Sequence, residues 1–231
     1  INFNITIKIY YKMPNNLFKQ YNVEPAVAED PRKPYLKDWV YSVARKVDIT
    51  NPEDAALVRD LSIVMEKALG RYEWGAVSSN NLHWNRTDKP IRVVMVPHPE
   101  LKENITLVNP EITGYGSWEI CSVEGCGSFP GKLYVVTRKN FAEVSAHLLT
   151  ETGFSPVDLE YGIRDSEAKD RQKPQSNLEK EIIDALCVQH EIDHLDCIVI
   201  ADKGTFHGKD DRVKEKRVLA ELAMLGMPFY H

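Results

Sequence analysis

Residues 176–195 read SNLEKEIIDALCVQHEIDHL, and the rest of the chain is best understood outward from this stretch. Ser176 to Glu179 has the pattern of a capping box, in which a serine closes a backbone N–H and a glutamate three residues on reaches back. After it, Ile183, Leu186, Cys187, His190 and His194 fall at offsets 0, 3, 4, 7 and 11, so one helix face carries all five. That face is apolar where it begins and ends in two imidazoles. Both histidines are therefore expected to point into the protein.

His190-Glu191-Ile192-Asp193-His194 is an H-E-x-x-H sequence. Two imidazoles one helical turn apart can share a divalent cation, and the glutamate beside them can take up a proton from a water that the cation acidifies. A tetrahedral catalytic site needs a third protein ligand. The zinc-protease continuation H-E-x-x-H-x-x-G-x-x-H is absent, because Leu195-Asp196-Cys197-Ile198 follows instead. Two sources for that ligand stay open. One is a downstream glutamate such as Glu215 or Glu221. The other lies upstream in Glu124-Gly125-Cys126-Gly127-Ser128, where a cysteine sits between two glycines. Glycine lets backbone approach a metal and a substrate closely, and a thiolate suits divalent iron, zinc or nickel.

Composition sets the frame. The chain has 231 residues, 43% hydrophobic and 27% charged, with a net charge of −5, so a binder led by phosphate contacts is disfavoured. No run approaches the roughly 20 apolar residues of a membrane span. Four cysteines are too few for a disulfide scaffold and point to a reducing compartment. Prolines at 14, 25, 31 and 34 suggest that residues 1–50 form an extension or arm, opening on a strand at 1–11 and carrying one short helix near 36–46. The catalytic domain is then expected over 51–231. Asn51 and Pro52 open its first helix, Gly70 can close it, and Leu57, Leu61, Val64 and Ala68 form its apolar stripe. Buried strands are read at 91–96, 105–108, 118–121 and 133–137. Residues 151–176 are polar and carry two prolines, which suggests a long surface insertion. A last helix is expected over 210–225. Three Asn-x-Thr triplets, at Asn4, Asn85 and Asn104, match glycosylation acceptors in a chain that otherwise shows no secretory signal.

The two chemical stretches together resemble the peptide deformylase family. Glu124-Gly125-Cys126-Gly127-Ser128 is similar to its E-G-C-L-S segment, and Gln189 to Leu195 is similar to its Q-H-E-x-D-H-L helix. Asn109-Pro110, Pro130-Gly131 and Arg138 also fall at matching positions, and the resemblance covers about residues 50–203. It implies an α+β fold with antiparallel strands around a central metal-binding helix. It further implies one divalent cation on Cys126, His190 and His194, with Glu191 shuttling protons. Ferrous iron is the expected native ion; zinc, nickel and cobalt also suit such a ligand set. The family's glycine-rich G-x-G-x-A-A-x-Q segment corresponds to Glu73-Trp74-Gly75-Ala76-Val77-Ser78-Ser79-Asn80, which keeps Gly75 and places Asn80 where the family has glutamine. Asn80 and the Gly127 N–H are then the expected oxyanion donors, with Gly75 and Gly125 beside the substrate. One methylene shorter than glutamine, Asn80 implies a slow enzyme.

The implied reaction is hydrolysis of the N-formyl group from formyl-methionyl peptides or nascent chains, releasing formate. Such substrates arise in the bacterial cytoplasm or in a eukaryotic organelle such as the mitochondrion. No nucleic acid and no membrane are expected as partners. Two rivals are a zinc endopeptidase that leaves Cys126 uninvolved and a deformylase-like protein that only binds peptide amino termini. Cys121, Cys187 and Cys197 read as small buried apolar residues, and His83, His98, His147, His207 and His231 as ordinary polar ones. Glu124 is expected to pair with Arg138 and brace the cysteine turn rather than act as a second catalytic carboxylate.

Overall fold

The structure is a computed structural model. It describes residues 39–209 apart from 73–74, 85–88, 102, 130–131 and 165–174, together with a short strand, β1 (Val23–Pro25). The strand expected at 1–11, the helix expected at 210–225 and the glycosylation triplets at Asn4 and Asn85 lie outside those residues. Asn104 opens a strand and is exposed.

The helix read from Asn51 onward is α1 (Pro52–Tyr72). The Asn51 side chain accepts the Glu53 N–H at 2.8 Å, which closes one of the donors a helix start leaves open. The helix runs two residues past Gly70. Of the short helix expected at 36–46, residues 36–38 lie outside the described ones; Trp39 and Val40 are helical, Ser42 N–H donates to Trp39 C=O, and the chain then extends to a parallel bridge between Arg45 and Ile91.

Two larger antiparallel sheets follow. The five-stranded one has the order β2-β4-β5-β8-β9, with β2 (Val77–Ser78), β4 (Val93–Pro97), β5 (Asn104–Tyr115), β8 (Phe141–Thr150) and β9 (Gly153–Gly162). The three-stranded one has the order β10-β7-β6, with β6 (Glu119–Gly125), β7 (Lys132–Lys139) and β10 (Thr205–Lys209). A third pairing joins β1 to β3 (Leu82–Trp84). The helices α2 (Gln175–Leu195) and α3 (Ile200–Lys203) complete the set, so the α+β, antiparallel expectation holds.

The apolar run at 91–96 is continuous because β4 is covered on both faces. Val93 and Met95 pack with Leu57, Leu61, Val64 and Met65 of α1. Val94 and Val96 pack with Ala185, Val188, Ile192 and Leu195 of α2. The helix with the two histidines is thus held against the sheet by its own apolar face. A third cluster of Val40, Phe129, Tyr134, Val136, Val199 and Ile200 lies beneath Cys126.

Residues 153–162 are not a surface excursion. They form β9, paired with β8 over ten consecutive positions from Phe141↔Gly162 to Thr150↔Gly153. β9 is an edge strand, so Pro156, Asp158 and Glu160 are tolerated there, and these residues made it look like a loop. Gly162 ends it at φ 94°, where a Cβ would collide with the Asn140 carbonyl. β5 continues seven residues beyond its expected core at Ile105–Val108, to Tyr115, and its register shifts immediately after Val108, at Asn109, which has φ 52°. The Asn109 amide grips the backbone of Val47, accepting its N–H at 2.8 Å and donating to its carbonyl at 2.9 Å.

Candidate metal centre

β6 delivers Cys126 at its end. The chain turns at once, with Phe129 N–H donating to Cys126 C=O at 2.9 Å, and Phe129 anchors the turn in the apolar cluster below. α2 brings His190 and His194 to the same place, their rings 4.9 Å apart. Cys126 Sγ lies 3.3 Å from His194 Nε2, and single donor atoms of Cys126, His190 and His194 all fall within 4.8 Å of one another. Tetrahedral coordination at ordinary bond lengths needs donor separations of roughly 3.3–3.6 Å. One thiol and two imidazoles so arranged could hold a single divalent cation. Glu215 and Glu221 lie outside the described residues.

His190 Nδ1 donates to Glu124 Oε2 at 2.9 Å, and although burial opposes it, contact with Cys126 and Glu124 raises the His190 pKa well above its ordinary value. A cation at Nε2 would take the place of the proton held there. Burial works against ionisation of Glu124, but the hydrogen bond from His190 and the charge of Arg138 outweigh it and hold the carboxyl at about 2. Burial likewise drives the His194 pKa well below its ordinary value, so its imidazole is neutral.

Glu124, two residues before Cys126, is fixed in turn by Arg138 of β7. The guanidinium donates to Glu124 from Nε at 2.7 Å and from Nη2 at 3.0 Å, and to Asp193 of α2 from Nη1 at 2.6 Å. Lys203 of α3 donates to the other Asp193 oxygen at 2.8 Å. This chain of alternating charges joins β6, β7, α2 and α3 around the cluster. The pairing of Glu124 with Arg138 agrees with the expectation; no spacing in the sequence points to Asp193 and Lys203 as further members. Gln189 adds a polar clamp, accepting from Lys139 N–H and donating to Lys139 C=O, which ties α2 to the end of β7.

Glu191 is 6% exposed and one of its carboxylate oxygens has no partner among the described residues. Burial pushes its pKa up to about 7, and the charge of His190 together with contact with Ser78 offsets only part of that rise. A carboxyl so placed is suited to trading a proton with a water near neutrality. Gly127 lies in the turn between Cys126 and Ser128, and Gly125 closes β6. Gly75 faces α2, where an added Cβ would come 3.9 Å from Cys187 Sγ.

Asn80 corrects an expectation. It is fully buried, and its amide nitrogen donates to Ser42 C=O at 2.6 Å and to Trp39 C=O at 3.2 Å. Both N–H groups are spent on the segment ahead of α1, so Asn80 has no donor left for an oxyanion. In the sequence nothing but position separates it from the adjacent Asn81.

Cys121, Cys187 and Cys197, expected as buried apolar residues, are free and half-buried. His98 is not idle, since its Nδ1 accepts the N–H groups of Glu100 and Leu101 in the turn after β4. No helix among the described residues is long and apolar enough to cross a membrane.

The family model for polypeptide deformylase matches residues 33–155. A peptide deformylase of Aquifex aeolicus is 31% identical over 175 residues, covering 73% of this chain and 83% of that protein. A peptide deformylase of Prochlorococcus marinus (strain MIT 9312) is 34% identical over 113 residues, and this match spans 44% of the relative's length. Among solved structures, a probable peptide deformylase from Synechococcus phage S-SSM7 aligns with a TM-score of 0.56 at 19% identity, over 78% of this chain and 99% of that one. Arabidopsis thaliana peptide deformylase 1B aligns with a TM-score of 0.55 at 18% identity, over 84% and 93%. At such identities the likeness concerns the fold.

Proposed function

Because the chain belongs to the polypeptide deformylase family, we propose that it removes the N-formyl group from formyl-methionyl peptides and nascent chains, releasing formate. The observation that carries this is the convergence of Cys126, His190 and His194 beside a buried Glu191, one oxygen of which has no partner among the described residues. In this reading α2 is the metal-binding helix about which the sheets are arranged, and 51–231 is the catalytic unit with 1–50 as an arm. Cys126, His190 and His194 hold one divalent ion, ferrous iron in the native protein. When bound, that ion supplies Lewis acidity and an acidified water.

The remaining work falls to the chain's own residues. Glu191 takes the proton of the attacking water and returns it to the leaving amine, a role its pKa of about 7 suits. The Gly127 N–H serves as the backbone donor to the oxyanion that develops on the formyl oxygen. Gly75 and Gly125 let the peptide backbone lie close on either side. Formyl-methionyl chains arise where translation starts with formyl-methionine, so on this reading the protein acts in the bacterial cytoplasm or in an organelle such as the mitochondrion.

Incubation of metal-loaded protein with formyl-Met-Ala-Ser tests the reading. Formate and Met-Ala-Ser should appear in equal amounts, with no cleavage between residues. Internal cleavage without formate would establish the endopeptidase instead. Stoichiometric metal with neither product would leave a binding protein.

A further inference from the structure

We propose that Asn81, not Asn80, presents the side-chain N–H that receives the formyl oxygen, its carboxamide aimed by Ser78 and Ser128; this rests on the deformylase reading above. The two asparagines sit in one 3-10 turn over Ser79–Asn81. With three residues per turn, neighbours on such a helix point about 120° apart. Asn80 accordingly faces Trp39 and Ser42, and Asn81 faces the opposite side of the turn, toward the cysteine loop.

The orientation of the Asn81 amide is settled by its partners. Its Oδ1 accepts the Ser78 N–H at 2.9 Å and the Ser78 hydroxyl at 2.7 Å. A backbone N–H can only donate, so the oxygen must face Ser78 and the nitrogen must face away. That nitrogen donates to Ser128 Oγ at 3.2 Å. Ser78 lies against the Glu191 carboxylate. Ser128 follows Gly127, the residue whose N–H is the other oxyanion donor. The Asn81 amide thus spans the gap between the proton shuttle and the cysteine turn, where the formyl group has to enter.

One of its two nitrogen-bound protons has no partner among the described residues, although Asn81 is 4% exposed. A buried donor left open gains most from a ligand oxygen. Three hydrogen bonds to Ser78 and Ser128 fix the group before substrate arrives, which is what an oxyanion donor requires. The shorter asparagine side chain is then compensated by its place one residue further along the turn. The protein need not be slow.

The test has two readouts. In nickel-loaded protein carrying Glu191→Gln, where the formyl group is not turned over, equilibrium binding of formyl-Met-Ala-Ser is compared with that of Met-Ala-Ser. Adding Asn81→Ala should weaken the formylated peptide about three- to tenfold, leave the free-amine peptide unchanged and leave metal content intact. With Glu191 restored, Asn81→Ala should lower kcat by about 10² to 10³-fold. Asn81→Asp is the second variant. It keeps the acceptor for Ser78, and the Ser128 hydroxyl can turn to donate to it, but it has no N–H; it should lose kcat to the same degree while holding its metal. Full kcat in Asn81→Asp, equal loss for both peptides, or loss of metal in both variants would make Asn81 a brace and overturn the proposal. If the parent protein released no formate, the deformylase reading would fail separately. The binding comparison would still decide on Asn81, because equal affinity of the parent for both peptides contradicts it.

Discussion

Replacing Arg138 by methionine should cost more stability than any other single change in the charged network. Its side chain is 2% exposed, and it faces Glu124 at 11% and Asp193 at 13%. Methionine fills most of the volume but leaves two buried carboxylates without their shared cation. Breaking a buried pair by deleting one partner typically costs about 3–5 kcal/mol. Asp193 keeps Lys203 and Glu124 keeps His190, so the lower end, about 3 kcal/mol, is expected. With an m-value of about 3 kcal/mol/M in urea, the midpoint of metal-free protein should fall by about 1 M. Removing the Glu124 charge as well, in Glu124→Gln/Arg138→Met, should return part of the loss, giving a coupling of about 2 kcal/mol or more. A midpoint shift below 0.3 M, roughly 1 kcal/mol, or simple additivity in the double variant, would refute the claim that this network is held by mutual burial.

Other outcomes follow from the same geometry. Cys126→Ala, His190→Ala and His194→Ala should each lose the metal by elemental analysis, and full occupancy in any one would remove that residue from the ligand set. Glu191→Gln should hold the metal and lose about 10² to 10⁴-fold in turnover; loss of metal there would mean the glutamate coordinates directly. Asn80→Ala should destabilise by about 1–3 kcal/mol, since two backbone carbonyls lose a buried donor, and an unchanged melting temperature would contradict the clamp on Trp39–Ser42. The hydrogen bond from Arg45 holds the Asp54 carboxyl below its ordinary range. A depressed carboxyl stabilises above its unfolded pKa, and that contribution disappears as pH falls through the folded value. Arg45→Leu should therefore flatten the acid limb of the stability curve, and an unchanged slope below pH 4.5 would argue against it.

What the sequence made legible was chemistry with a fixed spacing. The H-E-x-x-H helix and the glycine-flanked Cys126 could be read because metal ligation restricts residue type and offset together. α1 and β4 were readable because period and composition agreed. β9 was not, since an edge strand can carry Pro156, Asp158 and Glu160 at no cost to its pairing, and those residues read locally as a loop. The choice between Asn80 and Asn81 depended on the direction of a 3-10 turn, which adjacent identical residues cannot reveal. The reach of Arg138 from Glu124 to Asp193 joins a strand pair to a helix 55 residues away, and only the assembled fold brings them within 2.6 Å.

The central claim is that one cation on Cys126, His190 and His194 sustains deformylation, and a metal titration tests it most directly. Metal-free protein is loaded in steps with ferrous iron under anaerobic conditions, and formate release from formyl-Met-Ala-Ser is followed at each step. Turnover should rise linearly to one equivalent per chain, stop there, and vanish with chelator. Formate release from the chelated protein, or none at full occupancy, would contradict the account.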